Sequence, residues 1–143
     1  MNNYFISATE ARKDWSQVID NAVHSRPQFI KRTRDHICVM SNDMLLALLS
    51  NITFTANEFT EDDGSITICL NEIDLIENGC TIEDARDKMS KSILDYAKDY
   101  YDEFSFWASA PNRSSHIKYV LLALILNDYK KIRELIKWQP GKN

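Results

Sequence analysis

Residues 6–41, ISATEARKDWSQVIDNAVHSRPQFIKRTRDHICVMS, constrain the fold more than any other stretch of this chain. Ser7 and Glu10 have the Ser-x-x-Glu spacing of a capping box, in which the serine oxygen takes one free amide at a helix start and the glutamate reaches back to another. Ala11, Trp15, Val18, Ile19 and Ala22 follow at helical spacing and predict one apolar face, with Arg12, Lys13 and Gln17 on the other. This helix, read as 8–24, has to stop before Pro27, because the residue ahead of a proline avoids the helical region. Two short runs come next, 28–32 and 37–41, separated by Thr33, Arg34, Asp35 and His36, and they predict a β-hairpin with a polar tip. A strand at 3–6 leads into the helix, and a short apolar helix at 43–49, capped by Ser41 or Asn42, follows the hairpin. A helix below about 12 residues is marginal alone in water, so Met44, Leu45, Leu48 and Leu49 are expected to pack on the sheet and on a second copy of the chain.

The ordered set resembles the N-terminal module of the Phd/YefM (prevent-host-death) family of type II antitoxins. The resemblance is carried by the N-terminal strand, Ser7-Ala8-Thr9-Glu10-Ala11-Arg12, the apolar helix, Pro27, Phe29-Ile30-Lys31-Arg32, and Val39-Met40-Ser41 leading into a second helix. It covers about the first third of the chain. It implies a dimeric module (strand, helix, β-hairpin, helix) that binds operator DNA, with the helix start and its Arg on the DNA and a second Arg on the hairpin assisting. Position by position these are Arg12 and Arg32. One position departs: the family often has Asn two residues after the helical Arg, where this chain has Asp14, an acid beside the DNA contact surface.

The residues themselves allow the same chemistry. A helix N-terminus offers free amides and a positive dipole to phosphate, Ser7 and Thr9 can donate hydroxyl hydrogen bonds to the same backbone, and Arg12 or Lys13 can reach further, with guanine the usual partner of a forked Arg. The candidate DNA-binding set is therefore Ser7, Thr9, Arg12, Lys13 and Arg32. The plain alternative is that Ser7 only caps the helix and Arg12 is a solvated charge. Arg26, Lys31 and Arg34 read as charges that keep a hairpin edge from aggregating.

Charge is unevenly spread. The chain carries −4 overall, yet residues 1–36 hold six Lys or Arg against four acids, and residues 52–143 hold eleven against sixteen. This makes a basic head on an acidic body. So small a basic surplus needs dimerisation to build a useful phosphate-binding surface.

The remainder reads as strands and then helices. Residues 53–59 alternate as a half-buried strand, 61–64 form a turn with Gly64 at a positive φ, and 65–70 form a second strand with Ile66, Ile68 and Leu70 on one face, continued by 71–76 through a bulge and closed by Asn78-Gly79. Thr81 and Asp84 cap a long helix along which Ala85, Met89, Ile93, Tyr96, Ala97, Tyr100 and Phe104 recur, up to the break at Pro111. A helix at 116–127 is apolar nearly all round and so expected to be buried, Asp128 caps a last helix at 129–137, and 140–143 is a loose end. Residues 61–78 followed by Thr81-Ile82-Glu83-Asp84-Ala85 resemble the HicB-like antitoxin domain, which implies helices on a small antiparallel sheet that bind a toxin or help dimerise.

Other chemistries find little support. His24, His36 and His116 lack metal spacing, and three glycines make no phosphate-cradling loop. Glu61, Asp62 and Asp63 read as a solvated turn, and Asp95, Asp99 and Asp102 as a polar helix face. Cys38 and Cys69 are expected to be core thiols in a reducing cytoplasm. The N-terminus has no basic region followed by an apolar block, as a signal peptide would, and the longest apolar run, 119–126, falls far short of the ~20 residues of a spanning helix. Tyr96, Tyr100, Tyr101, Phe104, Phe106 and Trp107 read as core, with a partner groove as the sharper alternative.

The expectation is an α+β protein of two parts: a Phd/YefM-like dimerisation and DNA-binding module at 1–51, and an acidic domain at 52–143, partly HicB-like, with a small antiparallel sheet and a mostly helical C-terminal half. The function is that of an antitoxin: a cofactor-free, non-enzymatic homodimer that binds operator DNA and neutralises a cognate toxin. The competing class, favoured by Asp14 and the net charge, is a protein–protein interaction module, or a stand-alone regulator without a toxin. A small hydrolase or nuclease would need the clustered acids to hold a metal.

Overall fold

A computed structural model describes residues 4–142, and the chain divides into two compact units, Met1–Leu48 and Leu49–Asn143. The fold is α+β.

In the first unit, strand β1 (Phe5–Ser7) leads into helix α1 (Ala8–Lys13) and helix α2 (Trp15–His24). Asn3, the first residue of the expected strand, lies outside the described residues. The single helix expected at 8–24 is two. Asp14 has φ −130° and ψ 48°, off the helical region, and ends α1. Aspartate is a poor helix-interior residue because its short carboxylate competes for the backbone. The expected apolar face divides as well: Ala11, Val18 and Ala22 are buried with Ile30, whereas Trp15 and Ile19 are exposed.

Strands β2 (Gln28–Arg32) and β3 (Asp35–Val39) form the hairpin. Arg32 pairs with Asp35 in the register, so the tip is the dipeptide Thr33–Arg34, shorter than the four-residue tip expected. Thr33 takes φ +52° to make so tight a turn. β1 adds in parallel, giving the order β1-β2-β3. Cys38, expected in the core, is exposed. It pairs with Phe29 in the register, one residue out of phase with the buried Ile30. Ser41 Oγ accepts the amide of Met44 at 3.1 Å and caps helix α3 (Asn42–Leu48), which has no fully buried residue.

The second unit has a four-stranded sheet of order β6-β5-β4-β7. β4 (Phe54–Thr60) and β5 (Ile66–Leu70) are antiparallel, joined by a turn in which Gly64 has φ +87° and Asp63 Oδ1 accepts the Ser65 amide at 2.9 Å. The stretch expected to prolong β5 instead turns back, the Leu70 amide bonding the Leu75 carbonyl at 2.9 Å, and strand β6 (Ile76–Gly79) then pairs with β5. Helix α4 (Ile82–Asp102) starts at Thr81, whose Oγ1 accepts the Asp84 amide at 3.1 Å, while Asp84 Oδ2 accepts from Cys80 N at 3.1 Å. Its Ala85, Met89, Ile93, Ala97 and Tyr100 are buried, as are the sheet residues Phe54, Ala56, Ile68 and Leu70, and α4 packs on β5 and β6. Glu103 breaks this helix ahead of Pro111, and α5 (Phe104–Ser109) follows. A short 3-10 turn, Ser114–His116, then enters α6 (Ile117–Leu126). In α6 only Val120, Leu122 and Ala123 are fully buried, the remaining leucines and isoleucines being half-buried. Asp128 Oδ1 accepts the Lys130 amide at 2.9 Å and caps α7 (Tyr129–Glu134).

The C-terminal segment corrects the sequence reading most. The last helix ends at Glu134, and residues expected as helix end and loose tail form β7 (Ile136–Pro140), parallel to β4. Ile136 is buried in the core, Trp138 lies under the Arg86 guanidinium at 5.0 Å, and the Gly141 amide bonds the Glu58 carbonyl at 2.7 Å. The sheet is therefore mixed where a purely antiparallel one was expected. Asn143 lies outside the described residues.

Candidate nucleic-acid interface

Ser7 ends β1 and starts α1, and its Oγ accepts the Glu10 amide at 3.1 Å. That leaves its hydroxyl hydrogen free to point outward. Thr9, Arg12 and Lys13 are all exposed on α1. Because α1 stops at Lys13, Arg12 and Lys13 fall in its last turn, where cations also suit the negative end of the helix dipole. The dipole offered to phosphate is that of a six-residue helix, weaker than the long helix of the sequence reading. The side chains therefore carry more of any DNA contact than the helix start does.

Between the start of α1 and the hairpin lies an open hollow of about 590 Å³, lined by Ala8, Ile30, Ile37, Arg32, Arg34, Asp35 and His36. Ile30 and Ile37, paired in the register, make its apolar part, and the hairpin tip supplies its charge. The hollow brings Arg32 to the residue that begins α1. Arg12 and Lys13 are not among its lining residues. Arg32 Nη2 donates to Asp35 Oδ2 at 3.0 Å, an exposed cross-strand ion pair. Arg34 has no hydrogen bond or ion pair among the described residues. By sequence alone Arg34 is a charge of the hairpin edge and His36 a residue of its tip. The two-residue loop brings Arg34 to the lining of this hollow, whereas the ring of His36, one residue out of phase with Ile37, packs against that of Phe5 at 5.1 Å.

The other candidate chemistries resolve into structure. Among the described residues no cluster of three or more His, Cys, Asp or Glu is placed to hold a metal. Asp63 is held below its ordinary carboxylate range, first by the Ser65 hydroxyl and then by the Ser65 amide, as in a solvated turn. His116 is buried, with Nδ1 2.6 Å from the Tyr96 hydroxyl. Arg113 Nη1 donates to that hydroxyl at 3.1 Å, so Tyr96 joins Arg113 and His116 in one hydrogen-bonded group. Burial, and then the Arg113 charge, push the imidazole below its ordinary value, with Asp74 opposing. The aromatic series divides: Tyr100 is core, whereas Tyr101 and Phe106 are exposed. A second hollow of about 180 Å³ is lined by Tyr96, Asp99, Tyr100, Trp107 and Arg113. No helix among the described residues is long and apolar enough to cross a membrane.

Comparison with known proteins agrees with this architecture. No curated protein matches the chain. A crystal structure from Syntrophomonas wolfei subsp. wolfei, described as an antitoxin part of a proposed toxin/antitoxin system, superposes with a TM-score of 0.89 at 29% identity, over 99% of this chain and 100% of that one. The model of a family described as PHD-like, antitoxin of toxin–antitoxin, RelE/RelB, matches residues 1–138. With nearly its whole length matched, the chain belongs to the PHD-like family of antitoxins of RelE/RelB toxin–antitoxin systems.

Proposed function

We propose that this antitoxin binds operator DNA as a homodimer through its first unit, in the manner of the Phd/YefM antitoxins, and holds a cognate toxin through its second. The observation that carries the DNA reading is the hollow that Ala8, at the start of α1, shares with Arg32 and Arg34. Ser7 and Thr9 position the backbone of the duplex, Lys13 and Arg32 contact phosphate, and Arg12 reaches a base edge. The dimer reading rests on the apolar side chains that the first unit leaves exposed. The toxin reading rests on family membership and on the folded, acidic second unit, whose β4-β5-β6-α4 order fits the HicB-like segment. A protein that represses its own promoter works in the cytoplasm, and none of these roles calls for catalysis or a cofactor.

The test is fluorescence anisotropy with a labelled duplex from the region upstream of the chain's own coding sequence, against a scrambled duplex of equal length. Arg12→Ala is expected to cost about tenfold in specific affinity, the loss of one forked base contact, with the dimer intact by light scattering. Loss of both properties together, or of neither, counts against the assignment. Two observations favour the competing interaction module: Asp14 is exposed next to Lys13, and Asp35 is ion-paired with Arg32. That reading expects no salt-sensitive DNA binding, with a protein partner still recovered.

A further inference from the structure

We propose that the hairpin tip carries its own competitor for DNA: Asp35 holds Arg32 as a phosphate would, so that Arg34 makes the first phosphate contact and Arg32 joins only by exchanging carboxylate for phosphate. This inference rests on the DNA-binding reading of the same surface. Three cations sit at this end of the hairpin: Lys31, Arg32 and Arg34. Arg32 alone of them is ion-paired among the described residues, its Nη2 3.0 Å from Asp35 Oδ2. The pairing follows from the fold, because Arg32 and Asp35 face each other across the last rung of the ladder before the Thr33–Arg34 turn.

A guanidinium fork accepts a carboxylate and a phosphate with the same planar geometry, so the two anions compete for one site. The pair is open to water, with side-chain exposures of 76% and 65%, and pairs so exposed are weakly held. Exchange is therefore easy, but it leaves the Asp35 carboxylate unpaired beside the incoming phosphate. Arg34 lines the same hollow with no acid holding it, so it is the guanidinium at the tip that meets phosphate without such an exchange. The acid at position 35 thus sets both the strength and the order of contact.

The experiment is a double-mutant cycle on the full-length dimer, read as affinity and salt slope for the labelled upstream duplex. Asp35→Asn is expected to tighten binding about three- to tenfold and to steepen the salt slope by about one. Arg34→Ala should weaken binding more than Arg32→Ala does, and should flatten the slope by about one. In the Arg32→Ala background the gain from Asp35→Asn should disappear. A gain that persists there at full size means that Asp35 acts by plain repulsion, and it overturns the inference while leaving DNA binding in place. Arg32→Ala costing as much as Arg34→Ala overturns it too. A wild-type chain that does not bind the duplex with salt sensitivity overturns this inference and the reading beneath it together. Circular dichroism verifies that each variant is folded, and Asp35→Ser stands in if Asp35→Asn is not.

Discussion

A methyl group at position 79 has nowhere to go. Built on Gly79, a Cβ would lie 2.7 Å from Ala85 Cα, closer still to Ala85 N, and 2.8 Å from Asp84 Oδ2. These are atoms of the first turn of α4, so β6 ends where that helix begins, at a separation that only glycine permits. Gly79→Ala is expected to cost about 3 kcal/mol, as overpacking does when backbone must shift. Gly64 offers a contrast, because its φ of +87° disfavours a side chain but nothing lies within 4 Å. Gly64→Ala should cost about 1 kcal/mol, the left-handed backbone penalty alone. Urea denaturation of the full-length chain measures both, and equal costs would mean that β6 and α4 do not approach this closely. At this scale sequence was a good guide wherever a residue's role is local. Ser7, Thr81 and Asp128 cap their helices because a cap needs only its own next few amides. The role of Gly79 was not visible, since it depends on a helix that packs back over it.

β7 makes the same point one level up. IKWQP reads as the end of a helix and the start of a tail because Ile132, Leu135 and Ile136 continue a helical spacing. What ends the helix is a neighbour far away in sequence: β4 offers an open edge, and Ile136 gains burial in the sheet core by pairing with Phe54. Removing residues 138–143 tests the two descriptions against each other. A loose tail would be lost without consequence. A strand would take with it the Trp138 ring under Arg86, the Gln139 bond to Asn57 at 2.8 Å and the Gly141 bond to Glu58. The truncated chain should therefore lose about 2 kcal/mol of stability, the scale of a half-buried aromatic side chain together with its ladder bonds. The other elements follow the same division. α4, β4 and β5 were legible because their apolar periods are long and one face of each is buried. The break at Asp14, the turn back at 71–75 and the Thr33–Arg34 tip were not, since each is decided by what the chain must reach next. The candidate interface shares that fate: Ser7, Thr9, Arg12, Lys13 and Arg32 are legible from one stretch, but the hollow that Arg34 shares with Ala8 needs the hairpin folded beside α1.

A whole chain of −4 that contacts DNA has to concentrate its positive charge, and the first unit has a means of doing so. Its buried core is small, Ala11, Val18, Ala22 and Ile30, while α2 shows Trp15, Ile19 and Val23 to water at 48%, 42% and 54% exposure. These three lie at i, i+4 and i+8, one continuous stripe beside the inward Val18 and Ala22. Exposed apolar area of this kind on so small a unit marks a surface that another protein covers. A second copy fits the proposed function best, because it doubles the basic residues offered to one duplex. Ile19→Asp puts a charge in the middle of the stripe without touching the core, so it should leave the fold intact and convert the dimer to monomer by light scattering. The monomer should then bind the upstream duplex weakly, with about half the wild-type salt slope, because half the phosphate contacts remain. Tyr101→Asp, on an exposed aromatic of the second unit, serves as the control and should change neither mass nor slope. If Ile19→Asp keeps the wild-type mass, the stripe is not the dimer interface. If the wild-type chain is itself monomeric at micromolar concentration, the stripe instead faces a different protein.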